Sequence, residues 1–210
     1  MLLQGSLDVE ALIRSDMLQN LALGIDLAAI VGTGLNNEPL GILNTPEIGS
    51  VAIGANGGAP GWNHLVELET LVSEANADAN ACYYLTNART RGKLKTTSKV
   101  TGQDVFLWTD ALNPGQAGGG TIGMINGSIA AVSNQVPSNG IKGTGTGLSS
   151  IIFGDFSQLL IGLWGVLEIM PNPYGQGYPS GTVQIRAMLD ADCALRHPEA
   201  FAVCTDIVTT

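Results

Sequence analysis

Along the first thirty residues, Val9, Ile13, Met17, Leu21 and Ile25 recur every four positions, while Arg14, Ser15, Gln19 and Asp26 fall elsewhere. That spacing predicts an amphipathic helix over 7–31. Ser6 stands where an N-cap belongs, and Asp8 and Glu10 occupy the first turn, where the helix dipole favours negative charge. About 25 residues at about 1.5 Å each make a rod of roughly 37 Å, long for a domain of this size. Near the other end a two-residue period takes over. Val183, Ile185, Ala187, Leu189, Ala191, Cys193 and Leu195 point one way, and Thr182, Gln184, Arg186, Met188, Asp190, Asp192 and Arg196 point the other. This predicts a strand over 182–196 of about 50 Å, whereas strands usually run about five or six residues. Pro198 interrupts the pattern, and Phe201, Val203, Thr205 and Ile207 resume it.

Between these ends the elements are shorter. Gly32-Thr-Gly34 ends the first helix, and 36–41 turn the chain. Residues 48–60 are Gly/Ala-rich and read as a crossover. Leu65, Leu68, Leu71, Val72 and Ala75 form the apolar side of a second helix over 62–76. Residues 81–85 read as a buried strand, and Asn87 caps a short helix. The stretch 100–150 is Gly-rich with a strand at 127–132. Strands are expected at 151–153 and 166–170, with a helix capped by Asp155 running through 157–161 between them. The long helix and the bent strand suggest that the two chain ends share one subdomain around an inserted α+β module.

Composition sharpens this picture. Charged residues make up only 13% of the 210 residues, about half the roughly 25% of ordinary soluble domains. Protein interfaces are depleted in Lys, Glu and Asp, so the shortage suggests a surface covered by other protein. Eighteen acidic against nine basic residues leave a net charge of −9, which gives no bulk attraction for nucleic acid. Arg89, Arg91, Lys93, Lys95 and Lys99 crowd together without an aromatic among them. They therefore read as a solvated helix face, with no base-stacking platform. Cys82, Cys193 and Cys204 are isolated in apolar runs, fitting reduced thiols in a reducing cytosol. The first residues lack the pattern of a signal peptide, and no apolar run is long enough to span a membrane.

Reactive chemistry is sparse. His64 and Glu67 make an H-x-x-E pair, but Leu68 stands where a metalloprotease motif needs its second His. His197 has no nucleophile motif near it. Gly32-Thr-Gly34 follows a helix and lacks a third glycine, and Gly143-Thr-Gly145-Thr-Gly147 has no Gly-Lys-Ser/Thr, so neither cradles phosphate. Asp190 and Asp192 share a strand face at about 7 Å, a spacing that suits a hydrolase pair. Arg186 and Arg196 on the same face are expected to pair with them instead, within one chain or between subunits. No catalytic, cofactor or metal site is expected. A secreted carbohydrate-binding module would suit the Gly/Asn/Ser/Thr loops, but Trp62, Trp108 and Trp164 are scattered.

The order of these parts resembles tailed-phage major capsid proteins of the Hong Kong 97 type. The resemblance runs through Leu2-Leu-Gln-Gly-Ser6 with Asp8-Val-Glu-Ala-Leu-Ile13, Ile30-Val-Gly-Thr-Gly34 with Glu38-Pro-Leu-Gly-Ile-Leu43, and Tyr84-Leu-Thr-Asn-Ala-Arg89 with Lys93-Leu94. It continues through Val132-Ser-Asn-Gln-Val-Pro137, Phe153-Gly-Asp-Phe156 and Arg196-His-Pro-Glu-Ala-Phe201. The resemblance implies an α+β fold with a peripheral domain over 1–60 and 189–210, holding the spine helix and the long bent strand. An axial α+β domain over 61–188 would be inserted into it. It further implies a structural subunit, not an enzyme, that assembles with copies of itself into pentamers and hexamers of an icosahedral head enclosing DNA. Scaffold, portal and decoration proteins are further implied partners, with assembly in the bacterial host cytoplasm and residence in the virion. An encapsulin-like compartment shell shares the fold. The family's N-terminal arm and extended loop are not found in the sequence. Some relatives cross-link a Lys to an Asn near the start of the long strand; Ser180-Gly-Thr-Val183 has no Asn, so no such bond is expected.

Overall fold

A computed structural model describes residues 9–77, 82–100, 102–110, 122–172, 174–175, 178–181 and 183–209. Its helices are α1 (Val9–Val31), α2 (Trp62–Glu74) and α3 (Ala88–Thr96). The strands are β1 (Gly49–Ser50), β2 (Tyr83–Thr86), β3 (Thr109–Asp110), β4 (Ile122–Ile125), β5 (Ser128–Val132), β6 (Gly140–Lys142) and β7 (Gly145–Gly154). The chain ends with β8 (Leu159–Asn172), β9 (Gln184–Leu195) and β10 (Phe201–Ile207). This is an α+β architecture. The expected cap Ser6 and the loop 113–120 lie outside the described residues.

One sheet runs in the order β1-β10-β7-β2-β5-β4-β3, with β6 paired to β7; a second consists of β8 and β9 alone. In the large sheet β10 and the last seven residues of β7 are almost wholly buried, as expected of central strands covered on both faces. Ile151, Phe153, Ala202 and Cys204 join Leu65, Leu68 and Val72 of α2 in one core. Ile152, Phe201 and Val203 face the other way and pack with Ile30 and Ile42. Tyr84 stacks against Phe153 with ring centroids 4.5 Å apart. Its hydroxyl lies 2.9 Å from both the Leu65 carbonyl and the Glu69 carboxylate, fastening α2 to the sheet. Burial, reinforced by that carboxylate, pushes the phenol well above the ordinary tyrosine range.

Two corrections concern the second half of the chain. Asp155 caps only a single 3-10 turn, Phe156–Gln158, by accepting from the Ser157 N–H at 2.9 Å. The expected helix through 161 is instead the start of the 14-residue β8. The reason is pairing: Leu159 to Trp164 lie opposite Leu195 to Asp190 of β9, and tertiary pairing overrides a short apolar run that fits either period. The bent strand also parts company with itself. β9 packs against α1, whereas β10 lies between β1 and β7 in the large sheet.

β7–β8 and β9–β10 nevertheless form one antiparallel ribbon. Gly154 pairs with Phe201 on one side of the break and Leu159 with Leu195 on the other. Opposed 3-10 turns at Phe156–Gln158 and Pro198–Ala200 bend it.

The α1–β1 connection shows why the glycines of the Gly32…Gly41 turn are needed. A Cβ on Gly32 would meet the Pro39 carbonyl oxygen at 2.1 Å, and one on Gly41 the Gly32 nitrogen at 2.5 Å. The Asn44 side-chain amide then donates to the Val31 and Gly32 carbonyls at 2.7 and 3.0 Å, closing the helix end.

Asp206, 1% exposed, joins three segments remote in sequence. Its carboxylate accepts from the Ile53 and Gly54 N–H groups at 3.0 and 3.3 Å, the Lys142 ammonium at 2.6 Å and the Cys204 thiol at 3.2 Å. Burial pushes this carboxyl up, but Lys142, the Ile53 N–H, Cys204 and the Gly54 N–H outweigh it and hold it below the usual range. Burial also pushes the Cys204 thiol up to about 12, leaving it protonated and unreactive.

Two outcomes follow. Phe153→Ala should cost about 3–5 kcal/mol by leaving a cavity in the central strand, read as a lower urea midpoint. Because Asp206 titrates below its unfolded value of about 3.9, its stabilisation is present above that pH and is lost as pH falls through the folded value. Asp206→Ala should lower stability by roughly 2–4 kcal/mol at neutral pH, through orphaned N–H donors. Urea midpoints recorded from pH 6 to pH 2 should fall less steeply for this variant than for the native chain.

Candidate assembly surface

α1 lies against the two-stranded β8–β9 sheet, and the predicted stripe does the packing: Ile13, Met17, Leu21 and Ile25 are partly covered. The helix carries a second set of apolar residues that touch nothing comparable. Leu12, Leu18, Leu23 and Leu27 are all exposed, Leu12 by 59%. Leu12, Leu23 and Leu27 fall within about 60° of one another around the axis, at about 100° per residue. A helix apolar on more than one side is ordinarily buried on more than one side.

The sheet repeats the pattern. Along β9 the inward residues Ile185, Ala187, Leu189, Ala191, Cys193 and Leu195 are covered or partly covered, while the alternate set is exposed, as the alternation predicted. Val183 is the exception, exposed just before the strand begins. β8 has no polar face to offer: Leu160, Ile161, Leu163, Trp164, Val166 and Met170 are all exposed. Both strands are edges among the described residues, where neither pairs with anything but the other. Long apolar edges without Lys are templates for association, and contiguous apolar patches of this kind mark interaction surfaces. Two strands alone are marginal in water.

The other candidates do not converge. Asp190 and Asp192 lie on the outer face of β9, opposite Trp164 and Gly162. Neither is ion-paired among the described residues; Arg186 instead reaches the Met170 sulfur at 3.8 Å. Among the described residues of one chain, Asp190 and Asp192 therefore do not pair with Arg186 or Arg196, so a salt link of theirs would have to run between subunits. The basic helix is less solvated than expected: Lys95 pairs with Asp110 at 2.6 Å, and Lys99 sits 3.7 Å over the Trp62 ring. Lys95 and the Trp108 indole hold the exposed Asp110 carboxyl below its usual range. His64 accepts from the Gly61 N–H at 3.2 Å through Nδ1, closing the start of α2. His197 precedes a 3-10 turn and is exposed. The Gly143-Thr144 pair is the tip of the β6–β7 hairpin. Among the described residues no three His, Cys, Asp or Glu side chains gather as metal ligands, and no helix is long and apolar enough to cross a membrane. The sequence analysis missed the exposed face of β8, although its run of Leu, Ile, Trp and Val without a polar alternate was the available signal.

Comparison with known proteins bears on this surface. The major capsid protein of Halomonas phage phiHAP-1 is 30% identical over 200 residues, which are 95% of this chain and 29% of that protein. The chain thus spans under a third of that relative's length. The capsid of an empty GTA particle, computed with C5 symmetry, shares the fold at a TM-score of 0.74 and 20% identity, over 99% of this chain and 69% of that one. A structure from Gordonia phage Cozz gives 0.65 at 23%, over 94% and 63%. The holo-SrpI encapsulin complex from Synechococcus elongatus gives 0.63 at 15%, over 97% and 67%. The three helices and large sheet of the described residues are those of a capsid-like α+β fold. A family model described as the phage capsid family matches residues 1–206, and with that match, and this large uncovered apolar surface, the chain belongs to the phage capsid family.

Proposed function

We propose that this chain is the shell-forming part of a tailed-phage major capsid subunit of the Hong Kong 97 type. It associates with copies of itself as pentamers and hexamers of a head that encloses DNA. The observation that carries the reading is the apolar surface of α1 and β8, exposed on a chain of the capsid family. The peripheral unit in this reading is α1 with the β8–β9 hairpin. The axial unit is the large sheet with α2 and α3, which takes in β10 and so moves the expected boundary at 189. Assembly would take place in the bacterial host cytoplasm, with scaffold, portal and decoration proteins as further partners and the virion as the final location. No sequence-specific contact with DNA belongs to this reading, and the net charge of −9 supplies no bulk attraction for the enclosed phosphates. An encapsulin-like compartment shell is the second reading, favoured by the fold shared with the SrpI complex. Particles that contain DNA, and not a protein cargo, separate the two.

Negative-stain imaging of the full-length protein should show closed shells. A protein that remains a monomer at every concentration overturns the proposal. Replacing Leu23 and Leu27 together with Gln should leave the urea midpoint within the equivalent of about 0.5 kcal/mol, since exposed sites contribute little to folding, yet should abolish shells. Asp190→Asn with Asp192→Asn should perturb assembly at most; loss of a hydrolytic turnover in that variant would point to an enzyme.

A further inference from the structure

β8 carries an irregularity that its pairing with β9 does not require. Trp164 lies opposite Asp190 and Glu168 opposite Met188, so residues 165–167 face the single residue Leu189. Gly165 adopts φ +83°, a left-handed conformation that costs glycine least. The bulge turns Val166 outward, 85% exposed, beside Trp164 at 59%. The indole lies across Gly162, where an added Cβ would stand 2.6 Å from the ring. A large aromatic with only two side-chain torsions loses little entropy on binding, and tryptophan is among the residues that most often dominate interfaces.

The same chain offers a receptor. Asp26, Ile30, Ile42, Leu85, Phe156 and Ile161 line a pocket of about 230 Å³ where α1 meets the start of β8. Pockets for drug-sized ligands run about 300–1,000 Å³, so this one suits a single large side chain. Its lining is mostly apolar, with the exposed Asp26 carboxylate as an acceptor for an indole N–H, which can only donate. Ile161 and Trp164 are an odd number of residues apart in one strand before the bulge, so they point to opposite faces. A chain therefore cannot fill its own pocket with its own Trp164.

We propose that Trp164 of one copy seats in the Asp26–Ile161 pocket of the next copy, the indole N–H donating to Asp26. This rests on the shell reading above and names the contact that reading needs. Donor and receptor are different patches, so the contact is head-to-tail: each copy gives its indole to one neighbour and receives one from another. Contacts of that kind close into rings when the rotation allows, whereas a self-complementary patch stops at a dimer.

The test is sedimentation velocity of the full chain over a concentration series, with circular dichroism to verify folding; both altered residues are exposed, so the variants should fold. Trp164→Ala should raise the dissociation constant roughly 30-fold or more, the effect expected of an interface hot spot. Ile161→Arg, which fills the pocket with a charge, should do the same. An equimolar mixture of the two variants retains one intact indole and one intact pocket, so it should form dimers and nothing larger. If Trp164→Ala associates as the native chain does, or the mixture fails to dimerise, the indole contact is refuted while the shell reading stands. If the native chain never associates, both fall.

Discussion

A ribbon of two strands covered by a single helix cannot hide its own apolar side chains, and this constraint governs the molecule. α1 is one helix wide, and the ribbon beneath it presents Leu160, Leu163, Trp164 and Val166 to solvent along β8. The helix has the same difficulty on its far side, at Leu12, Leu23 and Leu27. At about 25 cal/mol per Å² of apolar area, side chains of this size in water are a standing drive toward association. The scarcity of charge belongs to the same account, because ionic groups on such a surface would have to be desolvated on contact.

The thin half of the molecule is tolerable because the other half is anchored independently. Its central strands β7 and β10 are buried on both faces, with α2 on one side and the end of α1 on the other. Asp206 adds a polar fastening, drawing the 53–54 backbone, Lys142 and the end of β10 onto one carboxylate. A buried charge satisfied this fully fixes which loop lies where, while the apolar contacts around it supply most of the stability. The two halves thus differ in kind: one buries its apolar strands on both faces and the other leaves much of its apolar surface exposed.

What could be read from the sequence follows the range of the forces involved. α1, α2 and β9 were legible because each carries its own period, and α3 because Asn87 announced its cap, accepting from the Thr90 N–H at 2.8 Å. β8 was half hidden. Its first residues, Leu159-Leu-Ile-Gly-Leu-Trp164, fit a buried helix turn as well as a strand, and only pairing with β9 decides. Asp206 left little local trace, since apart from the neighbouring Cys204 thiol its donors lie 64 and about 150 residues away. Across the ribbon Arg186 faces Met170 and Asp190 faces Trp164, so within one chain the register sets no aspartate opposite Arg186. The pocket beside Asp26 is assembled from five separated segments and could not be inferred from any one of them.

The two opposed 3-10 turns carry a mechanical consequence. Beyond them the hairpin is a cantilever, joined to the sheet at its root and unsupported by further strands at its tip. Fourteen residues of β8 at about 3.3 Å each give an arm of roughly 46 Å, so a tilt of about 5° at the root displaces the far end by about 4 Å. Small torsional adjustments in two short turns therefore move the far tip of the hairpin by several ångströms relative to the large sheet, and with it the exposed apolar side chains of β8.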